Sequence, residues 1–147
     1  MPLNIIIPCY NESTRLPVNK YLGFLKLNKK VKIIFVDDGS TDNTKNLVNK
    51  LSNKFPKQIK ILSYKKNKGK GHAVRDGFLY AVNQNMIGNL AYLDADLSTS
   101  LEECKLLSKK INDKIKFVFG SRIPKSSNVI KRKFHRFIIG RCIATII

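Results

Sequence analysis

The feature that most constrains this chain is a repeated pattern of short apolar runs that end in polar residues. Leu3–Ile7, Val31–Val36, Ile59–Leu62, Leu90–Leu93 and Ile115–Phe119 each span four to six residues and carry at most one polar residue. Runs of that length, apolar on both faces, predict strands buried in a parallel sheet. Between them lie helical patterns. The first begins near Pro17, where proline is tolerated, takes Leu22, Phe24 and Leu25 inward and ends at Asn28-Lys29-Lys30. The second is capped by Thr41 and carries Leu47, Val48 and Leu51 on one side. The third runs from His72 to about Met86 with Val74, Phe78, Ala81 and Val82 inward, and the fourth starts at Ser100 with Leu106, Leu107 and Ile111 inward. Strand and helix alternate, so the expected class is α/β, a mostly parallel sheet flanked by helices.

The residues that follow the strands carry chemistry. Asn11 and Glu12 follow the first, Asp37 and Asp38 the second, Asp94 and Asp96 the fourth, and Arg122 the fifth. Open α/β sheets bind ligands at the carboxyl ends of their strands, so these acids and one arginine are expected on a single edge. Asp94 and Asp96 are spaced i, i+2 and can converge from an extended chain. Two hard oxygen ligands suit Mg²⁺ or Mn²⁺, which shares its other positions with water and phosphates. The alternative is that the pair caps the following helix, since Asp and Ser are good N-caps.

The chain has 147 residues, 43% of them hydrophobic, enough for one domain with its own core. A net charge of +18 favours anionic partners: nucleic acid, anionic membrane or phosphorylated substrates. No DNA- or RNA-binding motif accompanies it, which argues against specific nucleic-acid recognition. Cys9, Cys104 and Cys142 have no paired spacing and are expected as free thiols in a reducing compartment. His72 and His135 lack a second ligand at a useful spacing and are expected to be structural. Met1 to Pro8 have no basic segment or long apolar core of the signal-peptide kind. The tail, Ile130 to Ile147, interleaves Lys131, Arg132, Lys133, Arg136 and Arg141 with phenylalanine and isoleucine. It is too short and too charged to span a bilayer, and is expected either as a basic amphipathic helix in an anionic membrane interface or as a helix packed on protein.

Five motifs occur in a fixed order: Pro8-Cys9-Tyr10-Asn11-Glu12, Asp37-Asp38-Gly39-Ser40-Thr41-Asp42-Asn43-Thr44, Asn67-Lys68-Gly69-Lys70-Gly71 running on to Gly77, Asp94-Ala95-Asp96, and Gly120-Ser121-Arg122. In this the chain resembles the inverting glycosyltransferases of family 2, and within them the dolichyl-phosphate β-glucosyltransferases, closest at Asn11–Pro17 and at the Gly-Lys-Gly loop. The resemblance implies a GT-A (Rossmann-like) fold, with a nucleotide-sugar-binding domain over 1–125 and a basic amphipathic tail over 126–147. It implies that Asp38 accepts from the nucleobase, that Pro8, Tyr10, Asn11, Glu12 and Asp37 belong to the nucleotide-sugar site, and that Lys70 and Arg75 lie close to the donor. Asp94 and Asp96 would hold the metal, with Asp96 and Arg122 the catalytic candidates. Arg122, Lys131, Arg132 and Arg136 would meet the acceptor phosphate and the membrane.

The implied activity moves a hexose, glucose from UDP-glucose, to a polyprenyl or dolichyl phosphate. The implied place is cytoplasmic, peripheral at the cytosolic face of the endoplasmic reticulum in a eukaryote or of the plasma membrane in a prokaryote. The alternatives are a mannosyl or other family 2 transfer and a non-catalytic sugar-nucleotide-binding remnant. Ser98 stands where the mannosyltransferase branch has an amide, and the family continues well beyond the position of Ile147. The chain therefore resembles the donor-binding portion of a longer enzyme.

Overall fold

A computed structural model describes residues 1–120. The elements run β1 (Leu3–Cys9), α1 (Val18–Leu27), β2 (Val31–Asp37), α2 (Thr44–Lys54), β3 (Ile59–Ser63), α3 (Lys70–Asn83), β4 (Asn89–Tyr92) and α4 (Leu101–Ser108). Among the described residues the four strands form one parallel sheet in the order β3-β2-β1-β4. The order reverses beside β1, from which the chain steps outward to β2 and β3 and then crosses to β4. That is the kind of switch point at which α/β sheets open a ligand crevice.

The period-2 geometry of the strands sorts the core into two faces. Leu3, Ile5 and Ile7 of β1 and Val31, Ile33 and Phe35 of β2 join Tyr21, Phe24, Val48, Leu51, Leu101 and Cys104 from α1, α2 and α4. Ile6, Ile34 and Val36 point to the other face and meet Ala73 and Ala81 of α3. There α3 comes close because its inner stripe is small. A Cβ added at Gly77 would lie 2.5 Å from Ile6 Cγ2.

Pro8 falls inside β1 rather than ending it. Ile6 uses its carbonyl toward the β4 side, accepting from the Leu93 N–H. Two residues on, Pro8 turns its donorless nitrogen the same way, where β4 has already ended at Tyr92. A proline is tolerated where a ladder stops.

Three expectations are corrected. The apolar run Ile115–Phe119 forms no strand; Ile115, Phe117 and Phe119 are exposed. A strand exists only by pairing, and this run joins no ladder of the described sheet; Asn112 folds the chain back by accepting from the Lys114 and Ile115 N–H groups. Thr41 does not cap α2, whose N-cap is Asn43; the Thr41 N–H instead donates to Asn11 Oδ1. Val82 and Leu106 face outward, because the inner stripes are Ala73-Gly77-Ala81 and Leu101-Cys104. The start of α4 matches its reading: Ser100 and Glu103 close a reciprocal capping box. The expected tail helix of 126–147 lies outside the described residues.

Candidate functional site

Four chain segments leave the carboxyl ends of the strands and enclose a cleft of about 400 Å³. The end of β1 contributes Pro8 and Cys9, and the segment after it Tyr10, Glu12 and Arg15. The one after β2 contributes Asp38, and the β3–α3 loop Asn67, Gly69 and Lys70. Asp94, Ala95 and Asp96 come from the segment after β4.

The loops after β1 and β2 are stitched together by side chains. Asn11 Oδ1 accepts from the Thr41 N–H at 2.9 Å, and the Asn11 N–H donates to Ser40 Oγ. The Glu12 N–H donates to Thr44 Oγ1 at 2.7 Å, and the Ser13 N–H to Asp42 Oδ2. Slight desolvation pushes the exposed Asp42 carboxyl up, but the bonds from Thr44 and Ser13 together hold it well below the usual carboxylate range.

The adjacent aspartates have different tasks. Asp37 accepts from the Ser40 N–H and closes its own turn. Asp38 is buried and accepts from two backbone donors of the third loop, Lys68 N–H and Gly69 N–H, both at 2.8 Å. That clamp brings the β3–α3 loop against Gly39, whose φ is 73° and where a Cβ would sit 2.7 Å from the Lys66 carbonyl carbon. Only glycine fits both conditions.

The aspartates after β4 are held from beneath. The Tyr21 hydroxyl, buried on α1, donates to the Ala95 carbonyl at 2.9 Å, and its ring packs edge-on against Phe35 at 5.3 Å. Leu97 adopts φ 53°, a conformation that costs a leucine about 1–2 kcal/mol and turns the chain sharply after Asp96. Asp94 Oδ1 receives the Tyr92 hydroxyl at 3.1 Å and the Lys70 ammonium at 2.6 Å. The Asp94 carboxylate raises the Lys70 ammonium above its ordinary value. Asp96 is exposed and accepts from the Ser98 N–H at 3.0 Å.

Both carboxylates line one wall of the cleft, and the ammonium on Asp94 marks that wall as a place for positive charge. The donor set fits Mg²⁺ or Mn²⁺, which need one or two carboxylates beside phosphate and water. Among the described residues no group of three or more His, Cys, Asp or Glu side chains could hold a metal by itself, so the ligand would have to complete the shell. Opposite, α3 begins at Lys70 with no side-chain cap, leaving its first N–H groups for an anion. Glu12 pairs with Arg15 at 2.6 Å through Oε1, while its Oε2 is buried without a hydrogen-bond partner.

Of the residues expected at the site, Pro8, Tyr10, Glu12, Asp38, Lys70, Asp94 and Asp96 line the cleft. Asn11 and Asp37 stand behind it as loop staples, and Arg75 is exposed and pairs with Asp76 at 3.4 Å. Arg122, Lys131, Arg132 and Arg136 lie outside the described residues. Arg15, Cys9 and Tyr21 were not anticipated. Arg15 carried a signal, an arginine three residues after Glu12 in the same post-strand loop. Tyr21 carried one too, as a polar atom within the apolar stripe of α1.

Comparison with known proteins now bears on this geometry. Residues 4–145 match the family described as Glycosyl transferase family 2. A dolichyl-phosphate beta-glucosyltransferase of Trichomonas vaginalis is 32% identical over 147 residues, covering 90% of this chain and 44% of that protein. The Dictyostelium discoideum protein of the same name is 34% identical, covering 93% and 45%. The chain thus spans less than half the length of these relatives. Mannosyltransferase PcManGT from Pyrobaculum calidifontis, solved in complex with GDP-Man and Mn²⁺, has a similar fold: TM-score 0.50, 23% identity, 64% of this chain and 27% of that one. A family match over nearly the whole chain, on a parallel sheet with this cleft at its switch point, establishes that the chain belongs to glycosyl transferase family 2.

Proposed function

We propose that this chain is the donor-binding part of a glycosyltransferase that moves a hexose, glucose from UDP-glucose, onto a polyprenyl or dolichyl phosphate at the cytosolic face of a membrane. The observation that carries this reading is the convergence, on one cleft, of the Asp94–Asp96 wall with Lys70 and the uncapped start of α3. Such a site fits a diphosphate flanked by a cation. The names of the relatives support the lipid phosphate acceptor and the glucosyl donor. Among the described residues no helix is long and apolar enough to cross a membrane.

In this reading the nucleoside lies against Pro8 and Tyr10, with Glu12 and Asp38 as acceptors for its N–H and O–H groups. The diphosphate meets the first N–H groups of α3 and Lys70. Asp94 and Asp96 would hold Mg²⁺ or Mn²⁺, which when bound neutralises charge growing on the leaving nucleoside diphosphate. An oxygen of the acceptor phosphate attacks the anomeric carbon from the side opposite the diphosphate. The bond from that carbon to the diphosphate oxygen breaks, and the configuration inverts. A phosphate monoester has a second pKa of about 6, so this oxygen is already ionised at neutral pH and no side chain need remove a proton. Positioning is then the main demand, and misplacement alone can cost about 10²-fold. Arg122, Lys131, Arg132 and Arg136 supply guanidinium and ammonium groups for the lipid phosphate and an anionic surface.

Calorimetry tests the donor half. UDP or UDP-glucose should bind with Mn²⁺ or Mg²⁺ present, and binding should vanish in EDTA and in Asp96→Ala. Equal binding in EDTA would remove the metal assignment, and tighter binding of GDP than of UDP would favour mannosyl transfer. Transfer is tested with radiolabelled UDP-glucose and dolichyl phosphate in anionic liposomes. Labelled lipid that falls in Arg122→Ala is expected; intact donor binding with no labelled lipid would mean that this chain alone only binds.

A further inference from the structure

We propose that Lys70 is an internal counter-cation for Asp94 that couples metal binding to nucleotide binding, releasing Asp94 only when a diphosphate receives its ammonium. The inference rests on the metal reading above and concerns the order in which the site fills. Lys70 Nζ lies 2.6 Å from Asp94 Oδ1, the same oxygen that accepts from the Tyr92 hydroxyl at 3.1 Å. The ammonium also lies 5.5 Å from the centre of the Tyr92 ring. An oxygen that already takes two donors is a poor ligand for an incoming ion. A divalent cation on that carboxylate would also stand within a few ångströms of a like charge.

Two features let Lys70 act as an exchanging group. Its backbone is anchored, because Asp38 holds the N–H groups of Lys68 and Gly69 immediately before it. Its side chain is not, being 57% exposed and flanked by Gly69 and Gly71, neither of which has a neighbouring atom where a Cβ would stand. The ammonium therefore swings on a fixed root. Its alternative partner would be a diphosphate at the uncapped start of α3, of which Lys70 is the first residue. Once the ammonium has moved to a phosphate oxygen, Asp94 faces the cation and the phosphates complete the shell. By linkage, metal and nucleotide then strengthen each other by the same factor.

The test is a titration with Mn²⁺ alone, read from the electron paramagnetic resonance of the free ion, repeated with UDP and with GDP. The proteins are wild type, Lys70→Met, Lys70→Arg and Asp96→Ala, each checked for an unchanged melting curve. Wild type should bind Mn²⁺ weakly alone and about 10-fold more tightly with its nucleotide. Lys70→Met should bind Mn²⁺ alone roughly 3- to 10-fold more tightly than wild type, since it removes an exposed ion pair and a repelling charge. Its nucleotide enhancement should shrink, while Lys70→Arg should resemble wild type. Equal Mn²⁺ affinity and equal enhancement in wild type and Lys70→Met would overturn the coupling while leaving the metal site standing. Mn²⁺ binding that is absent throughout, or untouched by Asp96→Ala, would overturn the metal reading and the coupling together.

Discussion

The two faces of the sheet are packed on different scales. The face under α1, α2 and α4 is filled by large side chains, with Tyr21, Phe24 and Phe35 buried among leucines, isoleucines and valines. The face under α3 is thin: Ile6, Ile34 and Val36 meet a helix stripe of Ala73, Gly77 and Ala81. Both faces support the same cleft by different means. The thick face fixes the Asp94–Asp96 segment through one hydrogen bond from Tyr21 to Ala95. The thin face sets where α3 begins, and hence where Lys70 stands, by direct contact of helix backbone with Ile6. A thick core can absorb a small shift by side-chain repacking. At Gly77 an added carbon would meet the side chains of Ile6 and Val36, both fully buried with little room to turn aside, so either they or the helix must shift.

The largest expected effect is on the thick face. Phe35→Ala removes a fully buried ring and should lower stability by about 3–5 kcal/mol, read as a shift in the urea midpoint. Gly77→Val should cost less in stability, about 1–3 kcal/mol. It should nevertheless harm nucleotide binding more than its stability loss implies, because α3 is displaced at the site; unchanged UDP affinity would mean that the thin face does not position Lys70. Tyr21→Phe leaves the Ala95 carbonyl buried without its partner and should cost about 1–3 kcal/mol. Mn²⁺ affinity should fall in this variant, and unchanged affinity would show that the two aspartates do not depend on that support.

The thin face also carries a polar clasp between the β3–α3 loop and α3. The Tyr64 hydroxyl donates to Asp76 Oδ2 at 2.6 Å, which holds Asp76 below the ordinary carboxylate range. Burial and the Asp76 carboxylate push Tyr64 up to about 12. A carboxyl whose folded pKa is depressed adds stability above its unfolded value, roughly 3.9, and loses it as pH falls through the folded value. Tyr64→Phe should therefore be less stable than wild type at pH 7, and the gap should close below about pH 4. A gap that persists at pH 2 would show that the hydroxyl's contribution does not depend on an ionised Asp76. The smallest effect concerns the two thiols among the described residues, Cys9 and Cys104, both on the thick face. Burial pushes Cys104 up to about 11 and Cys9 higher still. Neither should react with iodoacetamide at pH 8 until the chain is unfolded, as mass spectrometry would show.

Short-range patterns carried most of what could be read from the chain alone. The first four apolar runs became β1 to β4 within two residues at each end, because a short apolar run bounded by polar residues leaves its mark in a window of four to seven residues. Of these four, only β1 and β2 are buried on both faces, while the edge strands β3 and β4 are partly exposed. The acids at the strand ends were likewise visible, and seven of the expected residues line the cleft. Their division of labour was not. Asp37 and Asp38 are chemically identical neighbours, and only the arrival of the β3–α3 loop, thirty residues on, gives Asp38 its two backbone donors while Asp37 closes a turn. Tyr21 reaches Ala95 across 74 residues, and Lys70 meets Asp94 because β4 lies beside β1. The run Ile115–Phe119 has the composition of a strand but no ladder, since pairing depends on a partner that local sequence cannot supply. Composition determines which segments are buried, because burial is a property of each segment's own side chains. Which polar atoms meet in the cleft is decided by the strand order, because those contacts join residues that no local window contains.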